Sequence, residues 1–335
     1  MRSTVTVLLL CIWMSGALLS TAAHSAPPVY QELYVFGDSL ADVGNDLIAT
    51  QRSGINPPIP PSAAPHSTYY QGRFSNGPVA VEYLWWLLSQ NPPGSAKALQ
   101  PSLSVGKLNG HDSVSFAFGG AGSGAVTQTA GGFFVPGLQG QVALFRDLLR
   151  GKAPGKRALY VIIVGADDYL VPPTNVPAAP ADAVANIGES IELLYAIGAR
   201  DFIVLNLPDL GAIPLLANTP QHGFFSALSA QHNVLLADAL TALRAKLAGT
   251  KIFAIDLNSA EKSLPSGVGT EQQIPALETF GFPLGVSSCL LVNPAACPNV
   301  PTFNVDQKFF YWDAEHPTTA VHRALGGLLF QALQQ

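Results

Sequence analysis

Five short stretches of this chain are apolar at both odd and even positions, and this pattern limits the folds open to it. They are Leu33–Phe36, Ser113–Phe118, Leu159–Val164, Phe202–Leu205 and Ile252–Ile255. A strand with one face in water alternates apolar and polar residues, whereas a parallel strand covered on both faces is apolar throughout. The pattern therefore predicts five buried strands of a parallel sheet.

Longer stretches with helical periodicity separate the predicted strands. We predict helices over residues 79–89, 138–150, 181–197, 224–247 and 318–334. Alternating strands and helices are typical of an α/β fold, in which helices cover both faces of an open parallel sheet. The 335 residues would suit about two average domains, but α/β folds of this length often form one. We predict a single domain over residues 27–335.

The N-terminal segment has the features of a secretory signal peptide. Arg2 supplies a positive charge, residues 5–19 are nearly all apolar, and small residues follow. We predict that residues 1–26 form the signal, with cleavage between Ala22 and Ala26, and that the protein is secreted or periplasmic. The alternative is an uncleaved anchor, although the apolar run is shorter than the roughly 18 residues of a membrane span.

Removal of the signal would leave two cysteines, Cys289 and Cys297. An oxidising compartment favours a disulfide between them, and two free thiols are the alternative. Both lie in a long stretch without strand or helix pattern, at about 259–303. Loops of this length are often lids or binding loops, so we predict a lid-like insertion there.

The sequence indicates neither a metal site nor a nucleic-acid partner. It contains no CxxC or HExxH motif, so these metal-ligand spacings are missing. The formal net charge is −5, whereas domains that bind nucleic acids are usually basic.

Residues that could carry chemistry follow the predicted strands, where open α/β sheets bind their ligands. We expect Ser39, after the first strand, to stand at the start of a helix, where N–H groups stabilise negative charge. A helix-capping serine is the alternative. Near the C-terminus, Asp313 precedes His316 by three residues. That spacing lets Asp313 accept the Nδ1–H of the imidazole and leaves Nε2 free as a general base.

Two further loops follow the second and third predicted strands. Gly119 to Gly124 form a glycine-rich loop that offers bare N–H donors to a ligand or is simply a flexible turn. Asp167 and Asp168 form an acidic pair that could bind a metal or supply acid–base chemistry.

Five segments resemble, in order, motif blocks of the GDSL esterase/lipase family, also called SGNH hydrolases. They are Phe36–Asn45, Gly72–Gly77, Phe116–Ala121, Asn206–Gly211 and Trp312–Thr318. The resemblance implies a three-layer α/β/α sandwich around a parallel, flavodoxin-like sheet of about five strands. This agrees with the number of strands predicted from the apolar runs.

The same resemblance implies roles for particular residues. Ser39 would be the nucleophile, His316 the general base and Asp313 the acid that orients the imidazole. The backbone N–H groups of Ser39 and Gly120 would bind the oxyanion. No cofactor or metal is implied.

One position departs from the family pattern. The third block is usually Gly-x-Asn-Asp, but here it reads Gly165-Ala166-Asp167-Asp168, so Asp167 replaces an oxyanion donor. An ionised Asp can only accept hydrogen bonds and would repel the developing charge. Three readings stay open. The Ser39 and Gly120 N–H groups act alone in a slow enzyme, Asp167 is protonated and donates its hydroxyl, or catalysis is lost.

The sequence therefore predicts an exported carboxylic ester hydrolase that acts on a small-molecule or lipid ester. Apolar side chains in the predicted loops favour an apolar acyl group, although ordinary loop packing would place them there too. They are Tyr69, Tyr70, Phe133, Phe134, Phe280, Phe282, Leu290 and Leu291. The alternatives are a weakened or inactive exported binding protein, a phospholipase or acyltransferase, and a carbohydrate deacetylase. No protein partner is implied, and a lipid substrate would require only transient contact with a membrane surface.

Overall fold

The computed structural model describes residues 30–62, 69–110, 112–129, 131–170, 179–259 and 309–335, and the backbone of 284–288. The predicted signal peptide, the predicted disulfide between Cys289 and Cys297, and most of the predicted insertion at 259–303 lie outside these residues. They stay predictions.

Ten strands lie in the described part of the chain. They are β1 (Glu32–Gly37), β2 (Gln100–Pro101), β3 (Ser113–Ser115), β4 (Val126–Gln128), β5 (Phe134–Pro136), β6 (Ala158–Ile163), β7 (Asp201–Leu205), β8 (Lys251–Ile255), β9 (Leu284–Ser288) and β10 (Phe309–Tyr311). Six of them form a parallel sheet in the order β2-β3-β1-β6-β7-β8. The five predicted strands are confirmed, and their spatial order, second-first-third-fourth-fifth, is that of a flavodoxin-like sheet. The two-residue strand β2 extends one edge beyond the prediction.

Helices cover both faces of this sheet. They are α1 (Asn45–Arg52), α2 (Ala80–Ser89), α3 (Leu138–Leu149), α4 (Asp167–Leu170), α5 (Pro180–Ala196), α6 (His222–Lys246) and α7 (Thr319–Ala332). The five predicted helices are confirmed to within about two residues at each end. The prediction missed α1 and α4, which are the two shortest, with 8 and 4 residues. None of the helices in the described ranges is both long and apolar enough to cross a membrane.

The sheet separates two layers of apolar packing. Tyr34 and Phe36 of β1 face α3, α5 and α6, whereas Leu33 and Val35 face α2 and α7. Since successive side chains of a strand point to opposite faces, both parities of β1 are buried. This is the physical origin of the uninterrupted apolar runs in the sequence.

Phe145 of α3 is the centre of an aromatic cluster in the first layer. Its side chain is fully buried, and its ring centroid lies 4.7 Å from that of Tyr34, 5.6 Å from that of Phe36 and 5.4 Å from that of Phe116. The ring therefore fills the space between the sheet and α3.

We predict that Phe145→Ala lowers the free energy of unfolding by about 3–5 kcal/mol, because it leaves a cavity that the surrounding rings cannot fill. Urea denaturation followed by circular dichroism measures the change. Phe224→Ala is the matched control, since that side chain is 54% exposed, and it should change stability by less than about 0.5 kcal/mol. Equal effects of the two substitutions would contradict the assignment of Phe145 to the core.

Candidate active site

The candidate site lies at the carboxyl ends of β1 and β6, where the strand order of the sheet reverses. Open α/β sheets bind their ligands at this position, because the loops on either side of it diverge and leave a crevice. Five segments converge there: the turn after β1, the loops after β6, β7 and β8, and the loop between β10 and α7.

The turn after β1 is held against β6 by its backbone. Gly37 pairs with Ile163, and a Cβ at Gly37 would lie 2.0 Å from the carbonyl oxygen of Ile163, so only glycine fits. The side chain of Gln141 accepts from the N–H of Gly37 and donates to its carbonyl, both at 2.8 Å. The carbonyl of Asp38 then accepts from the N–H groups of Ala41 and Asp42, each at 3.1 Å. This single turn contains Ser39.

Ser39 does not stand at the start of a helix, so that prediction is wrong. The next helix, α1, begins six residues later at Asn45. Its first turn is held by the carboxylate of Asp42, which accepts from the N–H groups of Gly44, Asn45 and Asp46 at 2.8, 2.6 and 3.1 Å. Asp42, and not Ser39, therefore caps the N-terminus of α1.

The structure brings Ser39, His316 and Asp313 together, although 277 residues separate the first two in sequence. Nε2 of His316 lies 2.8 Å from Oγ of Ser39, whose hydroxyl donates to it when the imidazole is neutral. Nδ1 of His316 donates to Oδ2 of Asp313 at 2.7 Å. Oδ1 of Asp313 also accepts from the backbone N–H groups of Glu315 and His316 at 2.8 and 2.7 Å. The three-residue spacing therefore places the carboxylate as the sequence predicted.

Charge and hydrogen bonds shift the pKa values of Asp313 and His316 in opposite directions. Burial opposes ionisation of Asp313, but the charge and hydrogen bond of His316 outweigh it and lower the pKa of Asp313 to about 2. Burial also disfavours the imidazolium, but the charge and hydrogen bond of Asp313 raise the pKa of His316 to about 9. The carboxylate is thus ionised at neutral pH, and the imidazole holds a proton more tightly than a free histidine.

Tyr69 is a member of the site that sequence reasoning missed. Its hydroxyl donates to Oδ2 of Asp313 at 2.8 Å, whereas the sequence suggested only an apolar role for this side chain. Phe74 packs against both Tyr69 and His316. Its ring centroid lies 6.3 Å from that of Tyr69 and 5.1 Å from that of His316. No local pattern pairs Tyr69 with a carboxylate 244 positions later. The nearby Gly72–Gly77 motif was the available signal.

That motif fixes the loop that carries His316. The hydroxyl of Ser75 donates to the carbonyl of Pro317 at 2.9 Å, and Oδ1 of Asn76 accepts from the N–H of Thr319 at 2.9 Å. Ser75 and Asn76 are both buried, so water does not compete for these bonds. The motif therefore helps to hold the imidazole at its distance from Ser39.

Gly120 lies in a turn beside the turn that contains Ser39. The N–H of Phe118 donates to the carbonyl of Gly37 at 3.1 Å, which joins the two segments. Gly120 has a φ of +79°, a conformation that favours glycine. Among the hydrogen bonds of the described residues, none uses the N–H of Ser39 or Gly120 as donor. Both donors are free for a ligand.

Asp167 faces the same cavity as Ser39 and His316. Its side chain is buried and accepts no hydrogen bond from any residue that the structure describes. Burial, and then the negative charges of Asp38 and Glu315, hold the pKa of Asp167 well above its usual range. This environment favours the protonated acid.

The two acids of the predicted pair have different environments. Asp168 accepts from the N–H of Ser123 at 2.9 Å and from its hydroxyl at 2.8 Å. These bonds connect α4 to the glycine-rich loop, so Asp168 has a structural role. Over the residues with described positions, no three His, Cys, Asp or Glu side chains form a group that could hold a metal ion.

Comparisons with known proteins match almost the whole chain. A family model described as GDSL-like Lipase/Acylhydrolase matches residues 33–329, a range that contains Ser39 and His316. GDSL esterase/lipase 5 of Arabidopsis thaliana is 26% identical over 349 residues, with 95% of this chain and 87% of that protein covered. The phosphatidylcholine-sterol acyltransferase of Aeromonas hydrophila is 27% identical over 338 residues, with 92% and 91% covered. A solved acetyl xylan esterase aligns over 90% of this chain with 11% identity and a TM-score of 0.38.

Proposed function

Because the chain belongs to the GDSL-like lipase and acylhydrolase family, we propose that it hydrolyses carboxylic esters through Ser39, His316 and Asp313. The observation that carries this proposal is the 2.8 Å hydrogen bond between Oγ of Ser39 and Nε2 of His316. A serine is a weak nucleophile unless a positioned base removes its proton, and this contact supplies the base.

The proposed reaction has two halves. His316 takes the proton of Ser39 as Oγ attacks the ester carbonyl, and Asp313 stabilises the imidazolium that forms. The tetrahedral intermediate collapses to an acyl-enzyme, and His316 gives its proton to the leaving alcohol. A water molecule, activated by His316 in the same way, then releases the acid and restores Ser39.

Negative charge on the tetrahedral oxygen needs donors. The free N–H groups of Ser39 and Gly120 supply two of them. We propose that protonated Asp167 supplies a third through its hydroxyl, since its burial and the lack of a donor to it among the described residues favour the neutral acid. A neutral carboxylic acid in an apolar site acts in this way in other enzymes.

The family leaves acyl transfer to a second alcohol open. The similarity to the Aeromonas phosphatidylcholine-sterol acyltransferase supports this as the second candidate function. We also propose that residues 1–26 are a signal peptide and that the protein is exported.

A serine-reactive fluorophosphonate probe tests the proposed function. We expect it to label the purified protein, and we expect Ser39→Ala to abolish both labelling and the hydrolysis of nitrophenyl esters. Ser53→Ala, which changes an exposed serine outside the site, should leave both intact. Absence of labelling at every pH would favour a binding protein over an enzyme. Adding a sterol or a simple alcohol to the same assay measures transfer against hydrolysis.

The pH dependence of activity should report His316. A base must be neutral, and the pKa of His316 is raised to about 9, so kcat/KM should increase as the pH rises toward 9. Tyr69→Phe removes a donor from Asp313, which leaves more negative charge to stabilise the imidazolium. This should move the ascending limb up by less than about one pH unit. A hydrogen bond to a charged group contributes about 1.5 kcal/mol, and only the part that differs between the neutral and the protonated imidazole shifts the pKa.

The matched control for this profile is Tyr195→Phe. Tyr195 donates only to the carbonyl of Ala248, far from the site in the fold, and its loss should not move the limb. An ascending limb near pH 6.5 in the unmodified protein, or no shift in Tyr69→Phe, would contradict the electrostatic account.

We predict that Asp167→Asn leaves kcat on a simple ester nearly unchanged where Asp167 is protonated and raises it at higher pH, where Asp167 loses its proton. Asn donates an N–H at every pH, whereas ionised Asp167 repels the oxyanion. Loss of one oxyanion donor costs about 10²–10³ in kcat, so the gain at high pH should be of that order. Asp168→Asn is the control and should give no gain, because Asp168 accepts from Ser123. Equal or lower kcat in Asp167→Asn at all pH values would remove the repulsion argument.

A further inference from the structure

A second cavity adjoins the catalytic cavity. The space along it, open solvent included, comes to about 700 Å³. Five residues line both cavities, and we call them the shared wall: Leu40, Pro208, Ile213, Leu257 and Glu315. Leu40 follows Ser39 directly, and Glu315 precedes His316 directly. The second cavity therefore adjoins the catalytic cavity at residues next to the candidate nucleophile and base.

The lining of the second cavity is mostly aliphatic. Val321, Leu325 and Leu328 of α7 lie along one side, and Ile213 and Leu257 belong to the shared wall. Glu315, Tyr311 and His322 are the polar side chains among its described lining residues. A sugar would need several polar partners, whereas a hydrocarbon chain needs only apolar contact. The lining thus fits an apolar chain and disfavours a carbohydrate.

Two of these polar side chains can be placed within the lining, Glu315 and His322. Glu315 belongs to the wall shared with the catalytic cavity, at the end near Ser39. Nδ1 of His322 accepts from the N–H of Ala80 at 3.3 Å, which directs that ring edge toward α2. Burial lowers the pKa of His322 to about 3, so the ring is neutral at neutral pH. No fixed cation therefore stands among these lining residues to hold a headgroup.

We propose that this cavity, the acyl pocket, receives the unbranched acyl chain of the ester substrate. This inference rests on the proposed function and adds a substrate class to it. The acyl carbon stays bonded to Ser39 until water releases it, so a pocket that starts beside Ser39 holds the chain through both halves of the reaction. Val321 and Leu328 are seven residues apart on α7, which spans about 10 Å and suits a chain of roughly eight carbons.

A series of nitrophenyl esters from acetate to palmitate tests the acyl pocket. Transfer of each methylene into an apolar site should raise kcat/KM about fourfold, up to about eight carbons. Ala324 is half-buried and lines the pocket, so Ala324→Phe fills it. We expect this variant to keep its activity on acetate and to lose at least tenfold on octanoate.

The matched control makes the same substitution on another helix. Ala237 of α6 is exposed, and Ala237→Phe should reproduce the chain-length profile of the unmodified protein. A profile that Ala324→Phe leaves unchanged would overturn the acyl pocket but not the proposed function.

A covalent complex gives a test that needs no variant. A crystal structure of the protein after reaction with n-octyl fluorophosphonate shows where a chain bonded to Ser39 lies. We expect the octyl group against Val321, Leu325 and Leu328. An octyl group directed away from α7 would overturn the acyl pocket. Failure of the reagent to react with Ser39 would refute the proposed function itself and the acyl pocket with it.

Discussion

The backbone contact between β1 and β6 at Gly37 sets the geometry of the site. No Cβ fits between Gly37 and the carbonyl of Ile163, and the N–H of Asp38 donates to that same carbonyl at 3.1 Å. The turn that carries Ser39 is thereby fixed relative to the end of β6. Asp167 follows that end by four residues, so one contact between two strands positions both the candidate nucleophile and the unusual acid opposite it.

Neighbouring charges and hydrogen-bond donors together decide the charge of each buried carboxyl group. Asp313 accepts from the hydroxyl of Tyr69, from Nδ1 of His316 and from two backbone N–H groups, and these bonds repay the cost of burying a charge. Asp167 is buried at the catalytic cavity and accepts from no donor among the described residues. Two carboxyl groups of the same type therefore have opposite ionisation tendencies. One site can therefore hold an ionised carboxylate, Asp313, and a protonated carboxylic acid, Asp167, at the same pH.

The sequence predicted the sheet because both faces of its strands are buried. Leu33 and Tyr34 point to opposite layers, and each meets a helix, so the apolar pattern is uninterrupted. The edge strand Gln100–Pro101 has two residues and no such pattern, so nothing distinguished it from a loop. The hairpin of β4 and β5 lies in a glycine-rich stretch, where strand propensity is weak and pairing depends on tertiary contacts.

Within the site, sequence spacing predicted the contact between residues that are close in the chain. Contacts between distant residues depend on the fold and were not predicted. The pairing of Asp313 with His316 follows from three residues of separation. The position of Ser39 in a turn was missed because Asp42 caps α1 in its place. The contact of Tyr69 with Asp313 spans 244 positions and has no trace in the local sequence.

One helix serves two purposes in this molecule. The loop before α7 carries His316, and the first three turns of α7 line the acyl pocket. Ser75 and Asn76 hold the start of this helix, so its axis cannot slide without moving the imidazole as well. Side chains on α7 could therefore change the width of the pocket at low risk only where the helix axis stays in place. Changes that shift α7 would trade turnover for selectivity.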